Sequence, residues 1–225
     1  MKKYLPLALL AVSPFSQADA YLQLGLGTVE MDHDEAVVFS DNTRLKPDSN
    51  DSSQQITLGY RFESFGIEIS HRSMEGTEDH EFSTLTAIPS LPSGVTGGTP
   101  NEYEEDKDAT FDASQVAIKG VYYWDLDQQW LLKSGLGLTY TDYEMRASYV
   151  RSWEEDKPGE DWEYDQVVSQ SKETDTAWGG IASIGVHYTP LPDSVPGLNL
   201  GVEASVATDK YNTASALYGT LGWRF

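Results

Sequence analysis

The sequence contains no cysteine, which excludes a disulfide scaffold, a thiolate metal site and a cysteine nucleophile. Basic residues are scarce. Lys and Arg number 15 against 36 Asp and Glu, for a formal charge of −21. Phosphate recognition needs a basic surface, so DNA and RNA are excluded as partners. Beyond residue 20 no apolar run approaches the ~18 residues of a membrane-crossing helix. What the chain does have is aromatics, 6 Trp, 13 Tyr and 7 Phe, together with 19 Gly in 225 residues. That is too much large apolar surface for a chain that stays disordered, and the length suits one domain or at most two small ones.

Residues 1–20 read as an export signal. Lys2 and Lys3 form a charged start, Tyr4 to Phe15 a short apolar stretch, and Ala18-Asp19-Ala20 the small-x-small pattern cut by a signal peptidase. Pro6 and Pro14 would disturb the alternative, a buried helix. Removing Lys2, Lys3 and Asp19 with this segment shifts the charge from −21 to −22. Residues 21–225 are then the exported domain.

That domain reads two residues at a time. Apolar side chains alternate with small or polar ones in eight runs. They begin at Tyr21, Gln55, Phe65, Gln115, Trp130, Ala177, Leu198 and Ala216. In the fifth, for example, Trp130, Leu132, Leu136, Leu138 and Tyr140 alternate with Lys133, Gly135, Gly137 and Thr139. Period two places one series on each face of a strand. Runs of about 9–13 residues exceed the usual ~5–6 of a soluble strand and suffice for a tilted strand to cross a bilayer.

The connections are lopsided. Glu63-Ser64, Asp125 to Gln128 and Pro190 to Gly197 are short or moderate, whereas the acidic segments at about 30–53, 73–113 and 142–176 are long. This asymmetry, with an even strand count, predicts an all-β fold, an eight-stranded antiparallel up-and-down transmembrane barrel. The apolar series then faces lipid. Aromatic girdles are expected from Tyr60, Phe62, Phe65, Trp124, Trp130, Tyr188, Trp223 and Phe225 at the short-turn end, and from Tyr140, Tyr143 and Trp178 at the other. The rival is a soluble, lipocalin-like barrel with the Leu, Ile and Trp series inside.

The same assignment sends Arg61, Glu68, Lys119, Lys133, His187, Glu203 and Arg224 into the lumen. Eight strands leave a lumen just filled by side chains, so these groups are expected to form a structural plug of ion pairs rather than an ion path. Arg61 with Glu68, and Arg224 with Glu203, are the expected partners. His71 and Ser73, with Glu75 beyond, raise lipid-hydrolase chemistry. Residues two apart on a strand lie ~6.6 Å apart, which is awkward for a nucleophile and its base, and no catalytic residue is expected. His33 between Asp32 and Asp34 is likewise expected to be part of a solvated acidic loop; no metal and no cofactor are anticipated.

These features resemble the small eight-stranded outer-membrane barrels of the OmpA/OmpX type. The ending Leu221-Gly222-Trp223-Arg224-Phe225 is similar to that family's signal for the barrel-assembly machinery, carried by Leu221, Trp223 and Phe225. Within the class, Asp32-His33-Asp34, Phe39 and Leu45-Lys46-Pro47 look similar to the accessory colonization factor A group. The resemblance implies a bacterial outer membrane, with lipid and lipopolysaccharide as surroundings. It also implies a non-enzymatic structural, adhesion or colonization role, with a lipid-modifying enzyme or a narrow pore as alternatives. The long loops are expected to extend their strands into an exposed rim, with Trp153 and Trp162 packing within it. Tyr149, Trp153, Trp162 and Tyr164, interleaved with acids, are the expected contact surface for a ligand on a host or neighbouring cell.

Overall fold

The computed structural model describes residues 18–47, 50–96, 98–157, 160–192, 194–195 and 197–225. The export signal expected at 1–20 lies outside the described residues up to position 17, and the expected cut after Ala20 falls three residues into the first strand. The strands are β1 (Ala18–His33), β2 (Val37–Val38), β3 (Arg44–Leu45), β4 (Asn50–Phe62), β5 (Phe65–Thr84), β6 (Glu102–Asp125), β7 (Trp130–Lys157), β8 (Glu160–Tyr188), β9 (Leu198–Thr208) and β10 (Asn212–Arg224). Eight of them close an antiparallel barrel in the order β1-β10-β9-β8-β7-β6-β5-β4, and β2 and β3 pair separately. Closure of β1 on both β10 and β4 leaves no open edge at the level of the apolar band, as spanning a bilayer requires.

The faces divide as period two dictates. Leu26 is 69% exposed, Leu136 73%, Ile184 55% and Leu200 46%, all pointing outward. Between them the inward positions are small or polar: Thr57, Ser70, Gln115, Thr139 and Ser205 are buried. A soluble barrel would have reversed these faces. At the short-turn end Tyr60 packs edge-on against Phe62 and Phe65 edge-on against Tyr122, while Trp130 meets Tyr188 at a tilt; at the other end Tyr140 meets Trp178 at 5.1 Å. From Trp130 to Tyr140, a strand tilted by about 40° rises about 25 Å, the height of an outer-membrane apolar band. Tyr143 does not join the outer girdle. Three residues separate it from Tyr140, so it has the opposite parity, and it lies buried inside with its phenol donating to Asp209 at 2.6 Å.

The long acidic segments are largely strand. β5 and β6 stay paired up to Thr84 and Tyr103, and β7 and β8 up to Lys157 and Glu160. β4, β9 and β10 are much shorter. Four strands therefore rise beyond the outer girdle as a blade on one side of the barrel mouth, roughly 40 Å along β7 from Tyr140 to Trp153. The segment between β1 and β4 folds back onto the blade's inner face. Phe39 and Leu45 pack there with Ala109, Ala147 and Tyr149, and Val37 flanks them.

Candidate functional site

Four charges from four strands meet in the lumen. Glu68 on β5 forms ion pairs with Lys119 and Lys133, each at 2.7 Å, and Glu203 on β9 with the same two lysines, each at 2.8 Å. Signs alternate around the ring and every member is almost wholly buried. Gln23 donates to Glu203 at 3.1 Å and accepts from Lys133 at 3.3 Å. The Tyr21 phenol donates to Glu68 and lies 2.7 Å from the Tyr123 hydroxyl. Tyr21 reaches Glu68 by lying over Gly59, where a Cβ would fall 2.0 Å from its ring. A buried charge is tolerable only when it is paired, and every member of this ring has two partners of opposite sign. His187 is also buried just below.

Two expected pairs are corrected. Arg61 does not meet Glu68: it sits opposite Gly66, next to the turn, while Glu68 pairs across with Gly59 and Lys119. Its guanidinium reaches out to Asp125 at 2.6 Å and to the Glu63 carbonyl. Arg224 does not meet Glu203, which lies opposite Tyr218, six residues up β10, or about 20 Å of strand. Arg224 instead approaches Asp19 at 3.7 Å. Both arginines belong to the short-turn rim. Strand parity reads which face a side chain takes, but not the level at which it meets a residue on another strand.

One lumen cation escaped the sequence reading. Arg72 is buried one layer above the ring, touching Ser205 Oγ at 3.4 Å. The inward series Glu68, Ser70, Arg72 on β5 was the signal for it.

Hydrolase chemistry gains no triad. His71 pairs through Nε2 not with Ser73 but with Ser114 Oγ on β6, at 3.1 Å. Among the described residues no carboxylate is hydrogen-bonded to its other ring nitrogen. His33 is not solvated: it is buried, stacked on Phe111 at 4.3 Å, with Nε2 2.9 Å from the Pro47 carbonyl. Asp32 and Asp34 have the opposite parity and are exposed. Among the described residues no three His, Asp or Glu gather as metal ligands would.

The blade has an inner and an outer character. Inside, Lys107 on β6 is buried, 2.7 Å from Asp41 and 3.3 Å from Glu105, and lies over the Tyr149 ring. The Lys107 hydrogen bond holds the Asp41 carboxyl far below the usual range. Burial opposes the charge on Lys107, but Asp41 and Glu105 outweigh it and raise its pKa. The Asp41 contribution is thus lost as pH falls below about 4, and that of Lys107 as pH rises beyond about 10. Between those limits the contact latches the folded-back segment. Lys107→Met is expected to speed tryptic cleavage after Arg44 about fivefold, the equivalent of ~1 kcal/mol of local opening. The ratio should stay constant across trypsin's working pH; equal cleavage of both proteins would show that Lys107 does not hold this segment.

The expected ligand surface is only half available. Tyr149 is fully buried and Trp153 3% exposed. Trp153 Nε1 donates to the Pro89 carbonyl at 3.1 Å and its ring packs between Tyr103 and Tyr164. These two build the blade, because an aromatic of inward parity here has the folded-back segments to pack against. Trp162 and Tyr164, stacked nearly parallel, stay half-exposed.

The outer face is a stripe of like charge. Asp79 stands directly opposite Asp108, and Glu81 opposite Asp106. Glu102 and Glu104 continue the row on β6, and Glu163 faces Glu154 across β7 and β8. Burial first, then repulsion from Glu102, Asp106, Glu81 and Glu163, pushes the Glu104 carboxyl up. Burial, Asp106 and Asp79 do the same at Asp108. Like charges directly opposed on a sheet are destabilising, and nothing in the strand geometry requires them.

Solved structures of similar shape come from bacterial outer membranes. Neisserial surface protein A is similar with a TM-score of 0.51 at 16% identity, over 92% of this chain and 99% of that one. The fold is that of the small outer-membrane barrels. The attachment invasion locus protein of Yersinia pestis gives 0.48 at 11% identity, over 93% and 99% of the two chains. OprG of Pseudomonas aeruginosa gives 0.46 at 14%, over 93% and 96%. No family model and no curated protein matches this barrel.

Proposed function

We propose that this barrel is a non-enzymatic surface protein of the bacterial outer membrane, which presents its acidic blade to a positively charged partner on a host or neighbouring cell. The observation that carries the reading is the outer stripe, in which Asp79, Glu81, Glu104, Asp106 and Asp108 are held against one another at a cost to the sheet. A cationic surface, or divalent cations bridging to lipopolysaccharide, relieves that repulsion, so binding draws on free energy stored in the sheet. The lumen ring supports a structural rather than a conducting barrel: four buried charges each meet two partners of opposite sign inside it. The resemblance to the accessory colonization factor A group lies in Asp32-His33-Asp34, Phe39 and Leu45-Lys46-Pro47, of which Phe39, Leu45 and Pro47 are buried where the segment meets the blade.

Cells carrying Glu104→Gln, Asp106→Asn and Asp108→Asn together should adhere several-fold less to target cells and to polylysine-coated surfaces. The barrel's heat-modified gel transition should not fall, since the substitutions remove repulsion. Undiminished adhesion, in this variant and in one lacking residues 149–165, would discard the reading.

A further inference from the structure

β8 is paired on both sides only over its lowest third. Its ladder with β9 begins at Gly180 opposite Thr208, because the turn from β9 to β10 spans only Asp209–Tyr211. Its ladder with β7 continues to Glu160. Above Gly180 the other edge of β8 therefore faces no strand among the described residues. The Tyr211 phenol donates to Asp175 and covers the lowest part. Higher up the register shifts between Tyr149 and Val150, which marks a bulge near Val168. Between these lies Ser169–Thr174, six residues and roughly 20 Å of strand, exposed on both faces.

A cavity of about 380 Å³ adjoins this edge. On one side it is lined by the inward residues Ser171, Glu173 and Asp175 of β8, on the other by Glu35 to Val38 of the folded-back segment. Its floor is apolar, formed by Tyr143, Met145 and Tyr211. Glu35 and Glu173 are exposed carboxylates with no ion-pair partner among the described residues. A strand laid along the edge would bring every second side chain to this inward face, beside Glu173.

We propose that the upper edge of β8 and its cavity bind an extended polypeptide by strand addition, with lysine or arginine at alternate positions. Main-chain hydrogen bonds to β8 supply affinity. The cavity takes the aliphatic stem of a basic side chain against Tyr143 and Met145 and its charge against Glu35 and Glu173. A second copy of this chain is the wrong occupant: at −21 overall it would set acid against acid. The inference rests on the adhesive reading and names its partner's backbone form.

The probe is a nine-residue peptide alternating lysine with valine, titrated at physiological salt into the full chain in phosphatidylcholine nanodiscs. A control peptide of the same sequence carries backbone N-methyl groups at alternate residues, which preserves charge and removes donors. The protein variant is Glu35→Gln with Glu173→Gln, both exposed and outside the packed parts of the fold. Expected are saturable binding of the first peptide, at least about tenfold weaker binding of the methylated one, and at least about tenfold loss in the variant. Equal affinity for both peptides would overturn strand addition. An unaffected variant would overturn the cavity, and absence of binding would overturn both. Adhesion lost in the outer-stripe variant while the peptide fails to bind would sink this inference and leave the adhesive reading standing.

Discussion

Lys119→Met should lower the barrel's unfolding midpoint by on the order of 10 °C. Glu68 and Glu203 are each paired with two lysines, and all four side chains are almost wholly buried. Removing one lysine leaves two carboxylates sharing one cation in a site that solvates neither. Breaking a buried pair in this way costs about 3–5 kcal/mol, and a chain of this size moves about 2–4 °C per kcal/mol. The heat-modified band on a cold detergent gel reads the midpoint directly. The double variant Lys119→Met with Glu68→Gln retains Lys133 and Glu203 as a neutral pair, so it should cost less than the sum of its single changes by more than about 1 kcal/mol. Arg61→Ala is the internal contrast. Its partner Asp125 is largely exposed, and such pairs contribute about 0–1 kcal/mol. Equal shifts for Arg61→Ala and Lys119→Met would mean the ring is not the lumen's stabilising element.

The sequence made the faces legible but not the registers. Period two separated Leu136, Ile184 and Leu200 from Lys133, Glu203 and Gly185, because a bilayer outside and a filled lumen inside impose opposite demands on successive residues. Which charges meet depends on how far neighbouring strands are staggered, and no local pattern encodes that stagger. Arg61 and Glu68 looked adjacent across a tight turn, yet the residue opposite Glu68 on the other side is Lys119, fifty-one positions later in the chain. Above the membrane the pattern itself fades. Once lipid no longer selects the outward side chains, β6 carries Glu102, Glu104, Asp106 and Asp108 outward and Lys107 inward, and the stretch loses its apolar alternation although it is strand. Tyr149 and Trp153 read as part of a ligand surface for a related reason. The segments that cover them come from loops whose path only the fold reveals.

Leu136→Lys should destabilise the barrel in lipid by about 2–4 kcal/mol, the depth-dependent cost of a charge near the bilayer midplane. Leu136 lies between the two girdles, six residues from Trp130 and four from Tyr140 on β7, and is 73% exposed. Exposure to water would make that substitution close to neutral, and exposure to hydrocarbon makes it expensive. The same change at Ser73, just beyond the outer end of the apolar face of β5, should cost about 0–1 kcal/mol, because its ammonium reaches the headgroups. The gradient between the two positions separates a membrane barrel from a soluble one of identical topology. Unfolding in urea from phosphatidylcholine vesicles measures it, and equal small effects at both positions would place water, not lipid, around Leu136. The test reads the outer face of the wall, since Leu136 points away from the ring that Lys119 joins.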